Sequence, residues 1–221
     1  MAGRLLAIVL VGSTPLVGCQ NSPPPREARF RVEQAGIAAQ YDESTGRLRR
    51  LEVDLDKDGR VDTWTYMDGE QVERIESDTD GDGTLDRWEY YTAGNVLEKV
   101  GSSRAEDGVV DTWTYRDANG GVSRRDLSTT RDGTADRMEF YENGRLTRVE
   151  SDSDGDGRVD KWETFDPPSD EGQSPLLRSV AFDPDEHGRP RRRIQYNADG
   201  SFDRLEVDQD GNGVFAPPAT P

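Results

Sequence analysis

An acidic loop recurs through this chain at a nearly fixed interval: its glycines fall at Gly59, Gly83, Gly108, Gly133 and Gly157, spaced 24, 25, 25 and 24 residues apart, with degenerate copies at Gly188 and Gly213. A period of that size implies an array in which each unit packs on its neighbours, because one unit is too small to bury a core alone. The units begin near Asp54, Asp78, Ser103, Ser128, Asp152, Asp183 and Asp208 and define loops 1 to 7. The fifth unit carries an insertion at 167–175, and the seventh is truncated. Residues 27–53 supply an irregular first unit, in which Tyr41 stands 25 residues before Tyr66. With 32% hydrophobic and 33% charged residues, the chain has little apolar surface for a compact core, which also favours a repeat architecture.

Each loop runs into a short segment of alternating pattern: Trp64 and Tyr66, Trp88 and Tyr90, Trp113 and Tyr115, Met138 and Phe140, Trp162, then Ile194 and Tyr196. Period two marks a strand with one buried face. The tryptophans all fall at one repeat position, so the aromatics are expected to stack across neighbouring strands as a continuous ribbon; a sugar platform is the other use of such a row. Turn signals follow at Asp68-Gly69, Ala93-Gly94-Asn95, Asn119-Gly120, Asn143-Gly144 and Asp199-Gly200. After each turn, apolar residues sit three apart, as in Leu48 and Leu51, Val72 and Ile75, Leu146 and Val149, Phe202 and Leu205. That offset fits a helical turn or a bulged strand, and the short span before the next loop favours the strand. The predicted fold class is all-β: tandem hairpin repeats over 29–215 forming an elongated, twisted antiparallel meander, with a disordered tail at 216–221.

Within the loops, carboxylates stand at alternate places. Loop 1 offers Asp54, Asp56, Asp58 and Asp62; loop 2 offers Asp78, Asp80, Asp82 and Asp86; loop 5 offers Asp152, Asp154, Asp156 and Asp160. The residue at the seventh place, Arg60, Thr84 or Arg158, stands where a backbone carbonyl is given. Calcium takes about six to eight oxygen ligands, and flexible loops of this length suit it better than magnesium. The lack of nearby Cys or His excludes zinc and copper. Two carboxylates about 4 Å apart repel by roughly 4 kcal/mol at an effective dielectric near 20, so a loop of such groups is expected to splay open without a cation. Loops 3 and 4 keep Asp111 and Asp136 at the ninth place but carry Ser103, Ala105 and Asp107, or Ser128, Thr130 and Asp132, and read as Asp-stabilised turns. Loop 7 has Asp208, Asp210 and Asn212 but Ala216 at its ninth place, which makes it a weak site.

Loops 2 and 5 also carry Glu89 and Glu163 at the twelfth place, completing the pattern D-x-[DN]-x-[DN]-G-x5-E of the EF-hand. An EF-hand needs a helix on each side, and neither flank has helical periodicity. The loops more closely resemble the strand-bounded calcium loops of FG-GAP repeats. That resemblance implies that the ninth-place acid closes the site and that the twelfth residue points outward; Thr65 takes that place in loop 1. The half-units Tyr41-Asp42-Glu43-Ser44-Thr45-Gly46-Arg47-Leu48 and Tyr141-Glu142-Asn143-Gly144-Arg145-Leu146 resemble the YD repeats of bacterial RHS-type proteins and are similar to MORN-like repeats. Both families imply antiparallel strand pairs in series. The interposed acidic loops and the few copies set aside the large enclosing shell of RHS proteins.

At the N-terminus, Arg4, an apolar run from Leu5 to Val11 and then Leu16-Val17-Gly18-Cys19 read as an export signal over 1–18, too short to span a membrane with soluble flanks. Leu-Val-Gly-Cys resembles the lipobox of bacterial lipoproteins, which implies acylation of Cys19, its exposure as the new N-terminus and, with Gln20 following, transfer to the outer membrane. An ordinary secretory signal with an incidental cysteine is the other reading. Cys19 is the single cysteine, so no intramolecular disulfide can form. The stretch 19–28, with Pro23-Pro24-Pro25, reads as a semi-extended tether.

A formal charge of -17 without a concentrated basic stripe excludes a nucleic-acid partner, the run Arg189 to Arg193 being short and flanked by acids. No nucleophile elbow, no Cys and His pair and no phosphate loop is present, and the single histidine, His187, sits in a turn-like stretch. The sequence therefore predicts a non-enzymatic, calcium-binding protein held to the cell envelope by a lipid anchor, with a structural, adhesive or scaffolding role and an envelope protein or polysaccharide as partner class. A carbohydrate-binding module using exposed Trp residues is the alternative, and a hydrolase subunit a weaker one.

Overall fold

The computed structural model describes residues 31–34, 36–166, 174–183 and 187–218. The export segment 1–18, Cys19, the tether 19–28 and most of the insertion at 167–175 lie outside the described residues. The described chain is all-β. Its strands are β1 (Arg31–Gln34), β2 (Ile37–Tyr41), β3 (Leu48–Val53), β4 (Thr63–Asp68), β5 (Gln71–Ser77), β6 (Arg87–Thr92), β7 (Val96–Ser102) and β8 (Thr112–Arg116). They continue as β9 (Val122–Leu127), β10 (Arg137–Glu142), β11 (Arg145–Ser151), β12 (Lys161–Asp166), β13 (Leu176–Phe182), β14 (Arg192–Tyr196) and β15 (Phe202–Val207). These form one 15-stranded antiparallel sheet in the order of the chain, an open meander as the repeat predicts. Each strand touches only the strands before and after it, so among the described residues no second layer covers either face.

The apolar residues three apart follow from a recurring bulge. Tyr66 pairs with Arg74 but Met67 with Val72, which leaves Glu73 as the extra residue and brings Val72 and Ile75 to one face. The same shift falls at Gln40/Tyr41, Tyr90/Tyr91, Tyr115/Arg116, Phe140/Tyr141, Thr164/Phe165 and Gln195/Tyr196. The bulged-strand reading therefore holds over the helical one.

The aromatic row differs from its expectation. Tyr66, Tyr90, Tyr115 and Phe140 lie on every second strand, and the residues between them in register are Arg74, Lys99 and Arg124. Rings two strands apart are about 10 Å from one another, too far to stack, and the cation between them fills the gap. Arg74 lies 3.7 Å from the Tyr66 centroid, Arg148 4.0 Å from Phe140, and Lys99 4.5 Å from Trp113 and 4.8 Å from Tyr90. A parallel row sets acids between the tryptophans: Glu76, paired with Arg74 at 2.8 Å, is opposite both Trp64 and Trp88. Among the described residues one ring pair is in contact, Tyr90 with Trp113, at 5.7 Å between centroids. Gly101 stands between their strands, and a Cβ there would meet the Trp113 ring at 2.8 Å.

The opposite face holds the apolar core: Val149, at 0% exposure the most buried, with Val100 and Val180 at the equivalent repeat position. At the far end Ala216, where the sequence reading starts the tail, bridges to Val207. Pro217 and Pro218 then occupy the places that Thr63 and Trp64 hold in the first unit, and a proline has no N–H to continue a ladder.

The close approach at Gly101 generates a test. Gly101→Val should displace the Trp113 indole and lower stability by about 1–3 kcal/mol, read as a fall in the urea midpoint. An unchanged midpoint would mean that the ring is not held against this strand.

Candidate metal-binding loops

The acidic loops line one edge of the sheet and are hydrogen-bonded in series. The backbone N–H that opens each loop donates to the carbonyl of the ninth residue of the loop before: Asp78 to Asp62 at 2.9 Å, Ser103 to Asp86 at 2.8 Å, Ser128 to Asp111 at 2.8 Å, Asp152 to Asp136 at 2.9 Å and Asp183 to Asp160 at 2.9 Å. Side chains add to the stacking in the middle of the series: a Cβ on Gly108 would meet the Thr84 methyl at 3.2 Å, and one on Gly133 the Val109 methyl at 3.2 Å, so the seventh-place residues of loops 2 and 3 cover the sixth-place glycines of loops 3 and 4, whereas Gly83 and Gly157 lie open.

Inside loops 1, 2 and 5 the first-place aspartate organises the turn. Asp78 accepts the N–H groups of Gly81 and Gly83, both at 2.8 Å, and Asp152 those of Gly155 and Gly157 at 2.7 and 2.8 Å. Asp54 accepts Lys57 and Gly59 at 2.6 and 3.1 Å. Burial works against the charge of Asp78, but the N–H groups of Gly83 and Gly81 outweigh it and hold the carboxyl below its ordinary range; Asp152 is lowered against burial by Gly157 and Gly155 in the same way. The third-place Asp56, Asp80 and Asp154 accept from the residue two ahead, as do the fifth-place Asp58, Asp82 and Asp156, which take the N–H of Arg60, Thr84 and Arg158.

The ninth-place aspartate closes the loop by reaching back. Asp62 takes the Leu55 N–H at 2.6 Å, Asp86 the Thr79 N–H at 2.7 Å and Asp160 the Ser153 N–H at 3.0 Å. The hydroxyls of Thr79 and Ser153 also donate to Asp86 and Asp160, a contribution of the second place that sequence reasoning missed. Loops 3 and 4 use the same clasp, Asp111 with the Arg104 N–H at 2.7 Å and Asp136 with the Thr129 N–H at 2.8 Å. Their first-place Ser103 and Ser128 donate to Asp107 and Asp132.

In loop 1, one carboxylate oxygen each from Asp54, Asp56 and Asp58 lies within 4.8 Å of the others. In loops 2 and 5 the converging groups are Asp78, Asp80 and Asp86, and Asp152, Asp154 and Asp160. Loops 2 and 5 also have glycine at the fourth place, Gly81 and Gly155, both with φ 78°, where loop 1 puts Lys57 into the left-handed region at φ 65°. The signal was present in the sequence as Asp-Gly-Asp-Gly. Glu89 and Glu163 stand apart from these groups. Glu89 accepts from Arg87 at 2.7 Å and from the Tyr91 hydroxyl at 2.5 Å, and Glu163 pairs with Lys161 at 3.0 Å. The Tyr91 phenol is pushed up to about 12 by burial and by Glu89. The EF-hand pattern counts both glutamates among the ligands; the structure instead sets them on the sheet face that holds Val100, Val149 and Val180, outside the converging acids, because each is engaged by side chains of its own strand.

The donor set is all oxygen, and each converging carboxylate oxygen has two lone pairs, so accepting one N–H leaves capacity for a hard cation. These residues fit calcium.

No family model matches the chain, and no curated protein sequence matches it. Among solved structures, Staphylococcus aureus TarM, as a mutant in complex with fondaparinux, alpha-GlcNAc-glycerol and UDP, is 13% identical with a TM-score of 0.39 and covers 48% of this chain and 22% of that one. A second TarM structure gives 14% identity, a TM-score of 0.38 and coverage of 48% and 21%. The chain thus spans about a fifth of the length of the chains it matches, at a similarity that carries no assignment.

The clasp can be separated from metal binding in loop 3. Asp111→Ala should cost about 1–2 kcal/mol by orphaning the Arg104 N–H, equally with and without calcium in a thermal melt. A cost that appears with calcium alone would make Asp111 a ligand instead.

Proposed function

We propose that this is a calcium-binding, lipid-anchored repeat protein of the cell envelope, without catalytic activity, whose role is structural, adhesive or scaffolding. The observation that carries the calcium reading is the convergence of three carboxylates in each of loops 1, 2 and 5, while the serine-bearing loops 3 and 4 keep the same turn and lack such a group among the described residues. The bound cation would neutralise clustered negative charge; the chain's own contribution is a loop already shaped by backbone donors. Asp54, Asp56, Asp58, Asp78, Asp80, Asp86, Asp152, Asp154 and Asp160 would hold it, with Asp62, Asp82 and Asp156 as nearby acids and the seventh-place carbonyls of Arg60, Thr84 and Arg158 completing the shell. The anchor rests on Leu16-Val17-Gly18-Cys19, outside the described residues. The glycan-platform alternative requires exposed tryptophans, and it has less support because Trp64, Trp88, Trp113 and Trp162 are all part-buried and Lys99 lies over the Trp113 ring.

Calcium at millimolar concentration should slow amide exchange around 54–62, 78–86 and 152–160 and leave 103–111 and 128–136 much less changed. Binding to the folded state alone stabilises by about 2.7 kcal/mol per site at a hundredfold excess over Kd. Equal protection at all five loops would remove the distinction between complete and serine-bearing copies, and no effect would reject the metal. The anchor is tested separately: Cys19→Ser should release the protein from the membrane fraction, and retention with unchanged mobility would overturn acylation.

A further inference from the structure

On the edge opposite the acidic loops, Asn143 and Gly144 make up the whole turn between β10 and β11, since Glu142 pairs with Arg145 on either side of them. Both adopt positive φ, 51° and 75°, the two-residue turn that asparagine and glycine favour. Residues 142–145 are exposed, and a Cβ on Gly144 would meet nothing within 4 Å, so the peptide between Asn143 and Gly144 can rotate without a clash. Among the described residues neither the Asn143 side chain nor the Gly144 N–H has a hydrogen-bond partner.

The other described asparagines are held. Gly120, after Asn119, donates its N–H to the Asp117 carbonyl at 2.9 Å, and Gly213, after Asn212, donates to the Asp208 carboxylate at 3.0 Å. The Asn212 side chain accepts the Val214 N–H at 2.7 Å and donates to Asp210 at 2.9 Å. Asn95 and Asn197 precede Val96 and Ala198, whose side chains obstruct approach to the amide nitrogen; Asn95 also accepts the Val72 N–H at 2.7 Å, and Asn197 donates to Ser201 Oγ at 3.0 Å.

We propose that Asn143 is a site of spontaneous covalent modification, at which the folded chain converts its own asparagine into aspartate and isoaspartate. The Gly144 nitrogen, having given its proton to hydroxide, attacks Asn143 Cγ. The new C–N bond closes a five-membered imide, the Cγ–Nδ2 bond breaks, and Nδ2 takes a proton from water and leaves as ammonia. Water then opens the imide: hydrolysis at Cγ leaves aspartate in a normal chain, and hydrolysis at the main-chain carbonyl leaves isoaspartate, whose Cβ has entered the backbone. Nothing is oxidised or reduced, and water is the co-reactant. Either product adds a negative charge to the turn edge. Isoaspartate also lengthens a turn of two residues, which disturbs the pairing of Glu142 with Arg145. None of this depends on whether the loops hold calcium.

The full chain is incubated folded, at neutral and at mildly alkaline pH, and in parallel unfolded in guanidinium chloride, then digested and mapped by mass spectrometry. The folded chain should gain about 1 Da at Asn143, in two products that separate by chromatography. The gain should come about tenfold faster than at Asn119 or Asn212, whose following amides are bonded, and faster at the higher pH. In denaturant the three Asn-Gly steps should react at rates within about threefold of one another, because no fold then distinguishes them. Asn143→Gln should lose the early gain at this turn, since its ring closure is slower. Equal or faster reaction at Asn119 or Asn212 in the folded chain would overturn the proposal. So would an Asn143 that stays unmodified while the unfolded chain reacts there, or an early gain that persists in the glutamine variant.

Discussion

A sheet with no second layer must cover its own faces, and most of this structure follows from that constraint. Every side chain is shielded mainly by its neighbours along and across strands, since each strand touches only those adjacent in sequence. Short aliphatic residues cannot protect a flat surface alone. Long amphipathic ones can, by laying their methylene stems over rings and keeping their charge in water. Arg74 over Tyr66 and Arg148 over Phe140 do this, and Glu76 and Glu150 pair with the guanidinium groups at 2.8 and 3.3 Å. A composition that looks too charged for a core is therefore suited to a single layer, with Val149 and its equivalents as a narrow apolar seam on the other side.

The same constraint explains why the loops are more than connections. Strand pairing alone leaves the loop edge held together only from within each hairpin. The bonds from Asp78 to Asp62, Ser103 to Asp86 and onward join successive loops, so the edge is a continuous hydrogen-bonded series. The series runs through the ninth place, whose backbone carbonyl accepts the next loop even where Arg191 stands there, and in loops 1 to 5 the ninth-place carboxylate also holds the loop's second residue. Asp111 and Asp136 serve this structural purpose in loops that lack the other acids. An acid at the ninth place is thus weak evidence for a metal by itself; convergence with the first and third places is the stronger evidence.

Much of this was legible in the residues. Period two in Trp64-Thr65-Tyr66, the turn at Asp68-Gly69 and the spacing of the loop glycines fixed strands, hairpins and order. The offset between Val72 and Ile75 even marked the bulge at Glu73. The covering of the aromatic row was harder to read because a residue's partner across the sheet depends on register, and the bulge in each hairpin from β2–β3 to β14–β15 changes register by one. Once Arg74 is placed opposite both Tyr66 and Tyr90, the alternation of cation and ring is forced. At the loops, the sequence showed which acids were present but not which would converge: loop 1 draws in Asp58 while loops 2 and 5 draw in the ninth-place acid. Which acids converge depends on where each carboxylate finds its N–H donors.

Those donors also change the balance of forces expected from composition. Carboxylates crowded on a turn repel, and the sequence alone suggests a loop that opens. Here Asp78 and Asp152 each accept two glycine N–H groups, which favour the ionised form strongly enough to outweigh burial. The backbone thus holds the charges in place before any cation is considered, and the conformational cost of gathering ligands falls on folding instead of on binding. Loop 1 is less well prepared in one respect, since Lys57 adopts the left-handed backbone that Gly81 and Gly155 adopt freely. If the loops differ in affinity, that strain favours loops 2 and 5 over loop 1, an order that a count of aspartates alone would not give.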